Sequence, residues 1–301
     1  MLIALANFRV WIYIMLNLTN IKNYPAPGRM LSFLLVLILL WLPGLALIYV
    51  VMSSTQNLAD PGTKNLLSIL TMGLLAIEFI ALLPWWGQKV YQHPNLYSHY
   101  GLVFTRQNGL LLLKGLAIGA CFTFALFITQ GLLGWLTWQS PRLSIPQLLL
   151  EGSATALGVS LAEELFFRGW MLDELERDYP PTVSLIADAG LYALLHFLKP
   201  ISVIIASLPE FPGLWLLATV LVIAKRQHRN LLGMSIGLHA GMVWAYYVIN
   251  VGNMVKYSGR VSDWITGING NPVSGLLGLI FLGILAILMS NLSGKVDRSK
   301  I

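Results

Sequence analysis

Apolar residues in this chain come in runs of about 20, the length a helix needs to cross the hydrocarbon of a bilayer. The runs lie at roughly 30–52, 65–86, 109–136, 145–171, 182–198, 210–226, 229–251 and 271–293, each bounded by polar, Gly or Pro residues. The pattern predicts an all-α fold, a polytopic bundle of about eight spans. Pro43 predicts a kink in the first span, and Lys199-Pro200 predicts the end of the fifth. The apolar stretch "ISVIIASLP" between the fifth and sixth is too short to span and reads as re-entrant or interfacial.

Composition agrees. Of 301 residues 56% are hydrophobic and 11% charged, where a soluble domain carries about 25% charged; the mean hydropathy is +0.72. The net charge of +6 sits mostly in short connections, which is the signature of membrane topology and argues against a nucleic-acid partner. "KRQHR" at 225–229 and the tail with Lys295, Arg298 and Lys300 mark the cytoplasmic side. Alternation then places 87–108 and 172–181 inside, 53–64, 137–144 and 252–270 outside, and both termini in the cytoplasm. The single cysteine, Cys121, excludes an intrachain disulfide.

The expected organisation is an interfacial or short apolar segment at 1–29, N-terminal spans at 30–140, a central helical core at 141–255, and a last span with its tail at 256–301. Residues 2–16 are apolar but interrupted by Arg9, with no cleavage site after them, so a removed signal peptide is not expected. Met30 opens the first clean span, which leaves 1–29 open as an upstream extension. The triplets at 17–19 and 291–293 match a glycosylation pattern too short to carry weight.

One stretch breaks the apolar pattern: "LAEELFFRGW", residues 161–170. A charge at membrane depth costs at least ~2.5–3.5 kcal/mol on insertion scales, so each needs a partner or a task. Glu164 and Arg168 are i,i+4 and can pair. Glu163 lies about 100° around the helix from Glu164, which leaves it as the carboxylate without a local cation. Such a cluster, taken alone, suits helix locking or a transport path as well as chemistry. Two histidines shift the balance: Tyr192 and His196 in "LYALLH", and His239 in "GMSIGLHAGMVW". Glycines 233, 237 and 241 form a stripe suited to close helix packing; His239, about 200° away, points off it, with Ser235 one turn before on the same side. A glutamate base with two histidines, on three helices, suits water activation and oxyanion stabilisation.

These residues resemble the CAAX-protease and bacteriocin-processing (CPBP, or Abi) intramembrane proteases, whose signature runs EExxxR, FxxxH, HxxxN. The resemblance covers about Leu148 to Tyr247. Glu163, Glu164 and Arg168 fit the first motif; Tyr192 replaces the usual Phe; His239 is present, but Val243 stands where Asn is usual, leaving Ser235, Trp244 or Tyr247 as stand-ins. The resemblance implies hydrolysis of a peptide bond in a membrane-associated peptide or protein, which in eukaryotic relatives is a prenylated CAAX terminus. On that basis Glu163 activates water, His196 positions it, His239 stabilises the oxyanion, and Glu164, Arg168 and Tyr192 support them.

The family is often labelled metallo, but there is no HExxH. Zinc held by Glu163, His196 and His239 would leave no free base, so a metal-free mechanism is expected and zinc is the alternative. Two other classes compete: a non-catalytic relative acting as an immunity or scaffold protein, and a proton-coupled transporter using Glu78, Lys114, Glu151 or Asp188.

Overall fold

The computed structural model describes residues 20–291; the expectations for residues 1–19 and for the basic tail lie outside them. A helix occupies each of the eight apolar segments: α1 (Ala26–Thr55), α2 (Pro61–Trp86), α3 (Arg106–Leu132), α4 (Ile145–Glu164), α5 (Pro181–Leu195), α6 (Phe211–Gln227), α7 (Gly233–Val251) and α8 (Leu276–Asn291). Among the described residues four stretches are long and apolar enough to cross a membrane: Ala26–Thr55, Pro61–Tyr91, Arg106–Leu132 and Ile201–Gln227; Pro181–Leu195 and Leu276–Asn291 are shorter apolar helices. This is an integral membrane protein. The stretch "ISVIIASLP" begins as a short helix, Ile201–Ser207, that leads into α6.

The chain divides into two compact units, up to His99 and from Tyr100 onward. In the first, α1 and α2 form a hairpin. Phe33 packs edge-on against Phe79 and Trp86, with centroids 5.9 and 5.1 Å apart, and the Trp41 indole N–H donates to the Thr71 carbonyl at 2.9 Å. Asp60 caps α2 by accepting from the Thr63 N–H, and Pro43 lies inside α1.

In the second unit α7 is the central helix, buried almost continuously from Gly233 to Met242. It packs against α3, α4 and α6. The glycine stripe does what its spacing predicts: a Cβ on Gly237 would collide with the Leu112 carbonyl of α3, and one on Gly119 of α3 with the Leu238 carbonyl of α7. Backbones meet along this seam with no side chain between them. Asn108 fastens one end, its carboxamide oxygen accepting from the Gly233 N–H at 2.8 Å. Gly237→Ala is therefore expected to cost about 1–3 kcal/mol by overpacking, read as a lower unfolding midpoint in detergent; an unchanged midpoint would show that the seam is loose. Around it, Phe122, Leu221, Met234, Leu238 and Leu282 form the apolar core shared by α3, α6, α7 and α8.

Three details differ from the sequence pattern. The third helix stops at Leu132, because Gly134 takes a left-handed φ of 71°. The chain then pairs as a two-stranded antiparallel ribbon, β1 (Leu136–Trp138) with β2 (Val255–Tyr257). This ties together two connections the pattern left as separate loops. The fifth helix ends at Leu195, ahead of Lys199-Pro200, so His196 is its C-cap residue. Lys225, assigned above to the basic connection, is instead buried in the last turn of α6.

Candidate active site

Pro146 in the first turn and Ser144, whose hydroxyl accepts from the Gln147 N–H at 3.4 Å, start α4. The helix runs to Glu164 and then widens into a seven-residue π-helical turn, Leu165–Met171. Such turns are rare and favour functional positions. This one carries Arg168. The Leu172 N–H bonds to the Phe167 and Gly169 carbonyls, and the Arg168 carbonyl accepts from the Lys225 ammonium at 2.5 Å.

Glu164, Arg168 and Asp188 are all fully buried. Arg168 Nη1 donates to Glu164 Oε1 at 3.2 Å, the i,i+4 pair expected. Arg168 Nε faces Asp188 Oδ2 of α5 at 3.7 Å, an ion pair too long for a hydrogen bond. The guanidinium also lies over the Tyr192 ring, 4.5 Å from its centroid. One arginine thus meets two carboxylates and an aromatic face from two helices.

Glu164 Oε1 also accepts from His239 Nδ1 at 3.0 Å. A carboxylate acceptor assigns the proton to Nδ1, so the lone pair of neutral His239 is on Nε2. That nitrogen faces Glu163 Oε2 at 4.0 Å. Glu163 behaves as its position on the helix predicts: its side chain is 29% exposed where that of Glu164 is 0%. Its Oε2 has no hydrogen-bond partner among the described residues.

His196 is joined to this group through Tyr192. Its Nδ1 donates to the Tyr192 carbonyl at 2.8 Å, which leaves Nε2 as an acceptor. The rings of Tyr192 and His196 are 4.4 Å apart, and those of Tyr192 and His239 are 6.5 Å apart. Glu163, Glu164, Arg168, Tyr192 and His239 are therefore one contiguous cluster, with His196 at its edge.

Beside His239 opens a cavity of about 180 Å³, lined mainly by apolar side chains such as Leu126, Leu217 and Met242. Val243 and Tyr192 line it too, and so does Asn271 from the chain preceding α8. The Asn271 carboxamide oxygen accepts from the Val273 N–H at 3.3 Å, which orients the amide. The three stand-ins for the Val243 position are engaged elsewhere or walled in. Ser235 donates to the Leu232 carbonyl at 3.0 Å. Tyr247 donates to Glu151 at 3.1 Å, and Trp244 packs against Phe124.

Sequence reasoning missed three participants. Asp188 was read as a step on a proton path; its distance of eight residues from His196 already put it on the same face as Tyr192 and His196. Lys225 was hidden inside a run of exposed cations. Nothing in sequence marked Asn271. Of the other ions considered for transport, Glu151 and Lys114 are exposed, and Glu78 lies in α2 of the first unit.

Among the described residues, no three His, Cys, Asp or Glu side chains are grouped to hold a metal ion. His239 Nδ1 and His196 Nδ1 are committed to oxygen acceptors, so only their Nε2 atoms and Glu163 remain as donors.

Residues 145–245 match the family model for the type II CAAX prenyl endopeptidase Rce1-like proteins. No curated protein and no solved structure matches the chain. The match contains every residue of the Glu163–His239 cluster and excludes Asn271. The helical core of this protein, residues 145–245, is thus similar to the Rce1-like group of the CPBP family.

Proposed function

We propose that this protein is an intramembrane endopeptidase that hydrolyses a peptide bond of a membrane-associated peptide or protein with a water activated by Glu163. The observation that carries the reading is the division of labour between adjacent carboxylates. Glu164 is buried and bonded to Arg168 and His239, while Glu163 is partly exposed with an unpartnered oxygen beside His239.

In this mechanism Glu163 takes a proton from water as the oxygen attacks the scissile carbonyl carbon. His196 Nε2, the acceptor nitrogen, orients that water. The proton passes from Glu163 to His239 Nε2. The resulting imidazolium, held by Glu164 through Nδ1, donates to the oxyanion and then to the leaving amine as the C–N bond breaks. The products are a carboxyl terminus and an amine, and both residues return to their starting states. The cavity beside His239 receives one apolar substrate side chain; for scale, a dry 150 Å³ cavity holds benzene.

No step here needs a metal; the Nδ1–H bonds of both histidines leave their Nε2 atoms free for water and for a metal alike. Hydrolysis that persists in 1,10-phenanthroline is the expected result; loss of activity restored by zinc would overturn it. The reaction itself is tested on a prenylated CAAX peptide incubated with the purified protein. Release of the residues beyond the prenylated cysteine supports the reading. No release by folded protein, with no new peptide termini in expressing membranes, contradicts it and favours a non-catalytic role in which Val243 disables the site.

We also propose a multi-pass topology with both termini in the cytoplasm. Arg226 and Arg229 carry that orientation now that Lys225 is internal. A cysteine introduced as Arg229→Cys should react with an impermeant thiol reagent from the cytoplasmic face; reaction from the other face would reverse the topology.

A further inference from the structure

Asp188 is fully buried at the opposite end of the α5 row from His196, and neither of its oxygens has a hydrogen-bond partner among the described residues. Among the described residues its ion-pair partner is Arg168, at 3.7 Å. For holding Arg168 inside the protein, Glu164 alone is sufficient in charge. A second buried carboxylate is costly and calls for its own explanation.

The geometry of Arg168 supplies one. A guanidinium with a single carboxylate partner settles into a two-pronged contact that occupies both carboxylate oxygens. Here it does not: among the described residues Nη1 reaches Glu164 Oε1 only, Nη2 and Nε make no hydrogen bond, and Glu164 Oε2 has no hydrogen-bond partner. Asp188 draws the Nε side of the guanidinium toward α5, while Tyr192 supports its face. Glu164 Oε1 thereby takes a single bond from the arginine and keeps its second lone pair to accept from His239 Nδ1. We infer that Asp188 is a positioning residue: by sharing Arg168 with Glu164, it keeps the Glu164 carboxylate available to fix His239 with its proton on Nδ1 and its Nε2 lone pair toward Glu163. Lys225, clamped on the Arg168 carbonyl, completes a buried set of two carboxylates and two cations. The inference rests on the proposed role of His239 for its effect on turnover, but not for its effect on the imidazole.

The test uses the full chain in nanodiscs with ¹⁵N-imidazole-labelled histidine. The His239 resonances are identified by their loss in His239→Gln. Wild type should show a protonated Nδ1 and an unprotonated Nε2. Asp188→Asn, which keeps the shape and removes the charge, should mix the two tautomers. The His228 pattern, set by the Ala224 carbonyl at 2.8 Å, should stay unchanged. Turnover should fall about tenfold, the usual scale for an outer-layer partner, with KM unchanged. If Asp188→Asn folds poorly, Asp188→Asn with Lys225→Met restores charge balance; it should recover the folded yield while His239 stays mixed.

A wild-type His239 pattern in either folded variant overturns the inference, whether or not the protein proves to be a protease. So does failure of both variants to fold, which would make Asp188 purely structural. A mixed tautomer in a protein with no peptidase activity upholds the positioning and rejects the proposed reaction.

Discussion

Glu163→Gln is expected to lower turnover by about 10²–10⁴, the range for loss of a general base, with KM and unfolding midpoint near wild type. The carboxamide keeps the size and cannot take a proton. The fold should tolerate it, because Glu163 is 29% exposed and the buried arginine is held by Glu164 and Asp188 instead. Steady-state kinetics on the purified protein, with thermal unfolding alongside, gives both quantities. Less than a tenfold fall would remove Glu163 from the chemistry. The neighbouring change, Glu164→Gln, should lower stability as well as turnover, since it weakens two contacts of a fully buried group. That contrast between adjacent glutamates separates the account from a general intolerance to substitution in this turn.

The largest effect on stability is expected from Arg168→Met, at about 3–5 kcal/mol, the cost of breaking a buried ion pair by removing one partner. Glu164 and Asp188 would be left facing each other's region without the cation between them, both fully buried. The triple variant Glu164→Gln, Arg168→Met, Asp188→Asn should regain most of that stability. Well-packed neutral groups often match a buried ion pair. It should not regain activity, because His239 would have no anionic acceptor for Nδ1. Denaturation in detergent distinguishes the cases. An Arg168→Met protein within about 1 kcal/mol of wild type would contradict the buried arrangement.

Much of this was legible in sequence for physical reasons. Apolar runs report helices in a membrane protein because hydrocarbon demands both length and internal hydrogen bonding. Helical spacing separated Glu163 from Glu164 correctly, and the four-residue glycine stripe of α7 anticipated a backbone seam. What spacing within one helix cannot carry is the identity of the facing helix. Asp188 therefore stayed a step on a proton path until α5 was set against the π turn, and Lys225 stayed a surface cation until α6 was. Asn271 reaches the His239 cavity from a connection far along the chain. The ribbon joining residues 136–138 to 255–257 is likewise a pairing between distant short segments, too brief to leave a period-2 signal.

The most direct measurement compares peptide termini in membranes from cells expressing wild type and Glu163→Gln at matched folded levels. The account predicts new termini, with apolar residues near the cleavage points, in the wild-type membranes alone. Identical termini in the two samples, under conditions where wild type has a phenotype, would contradict it.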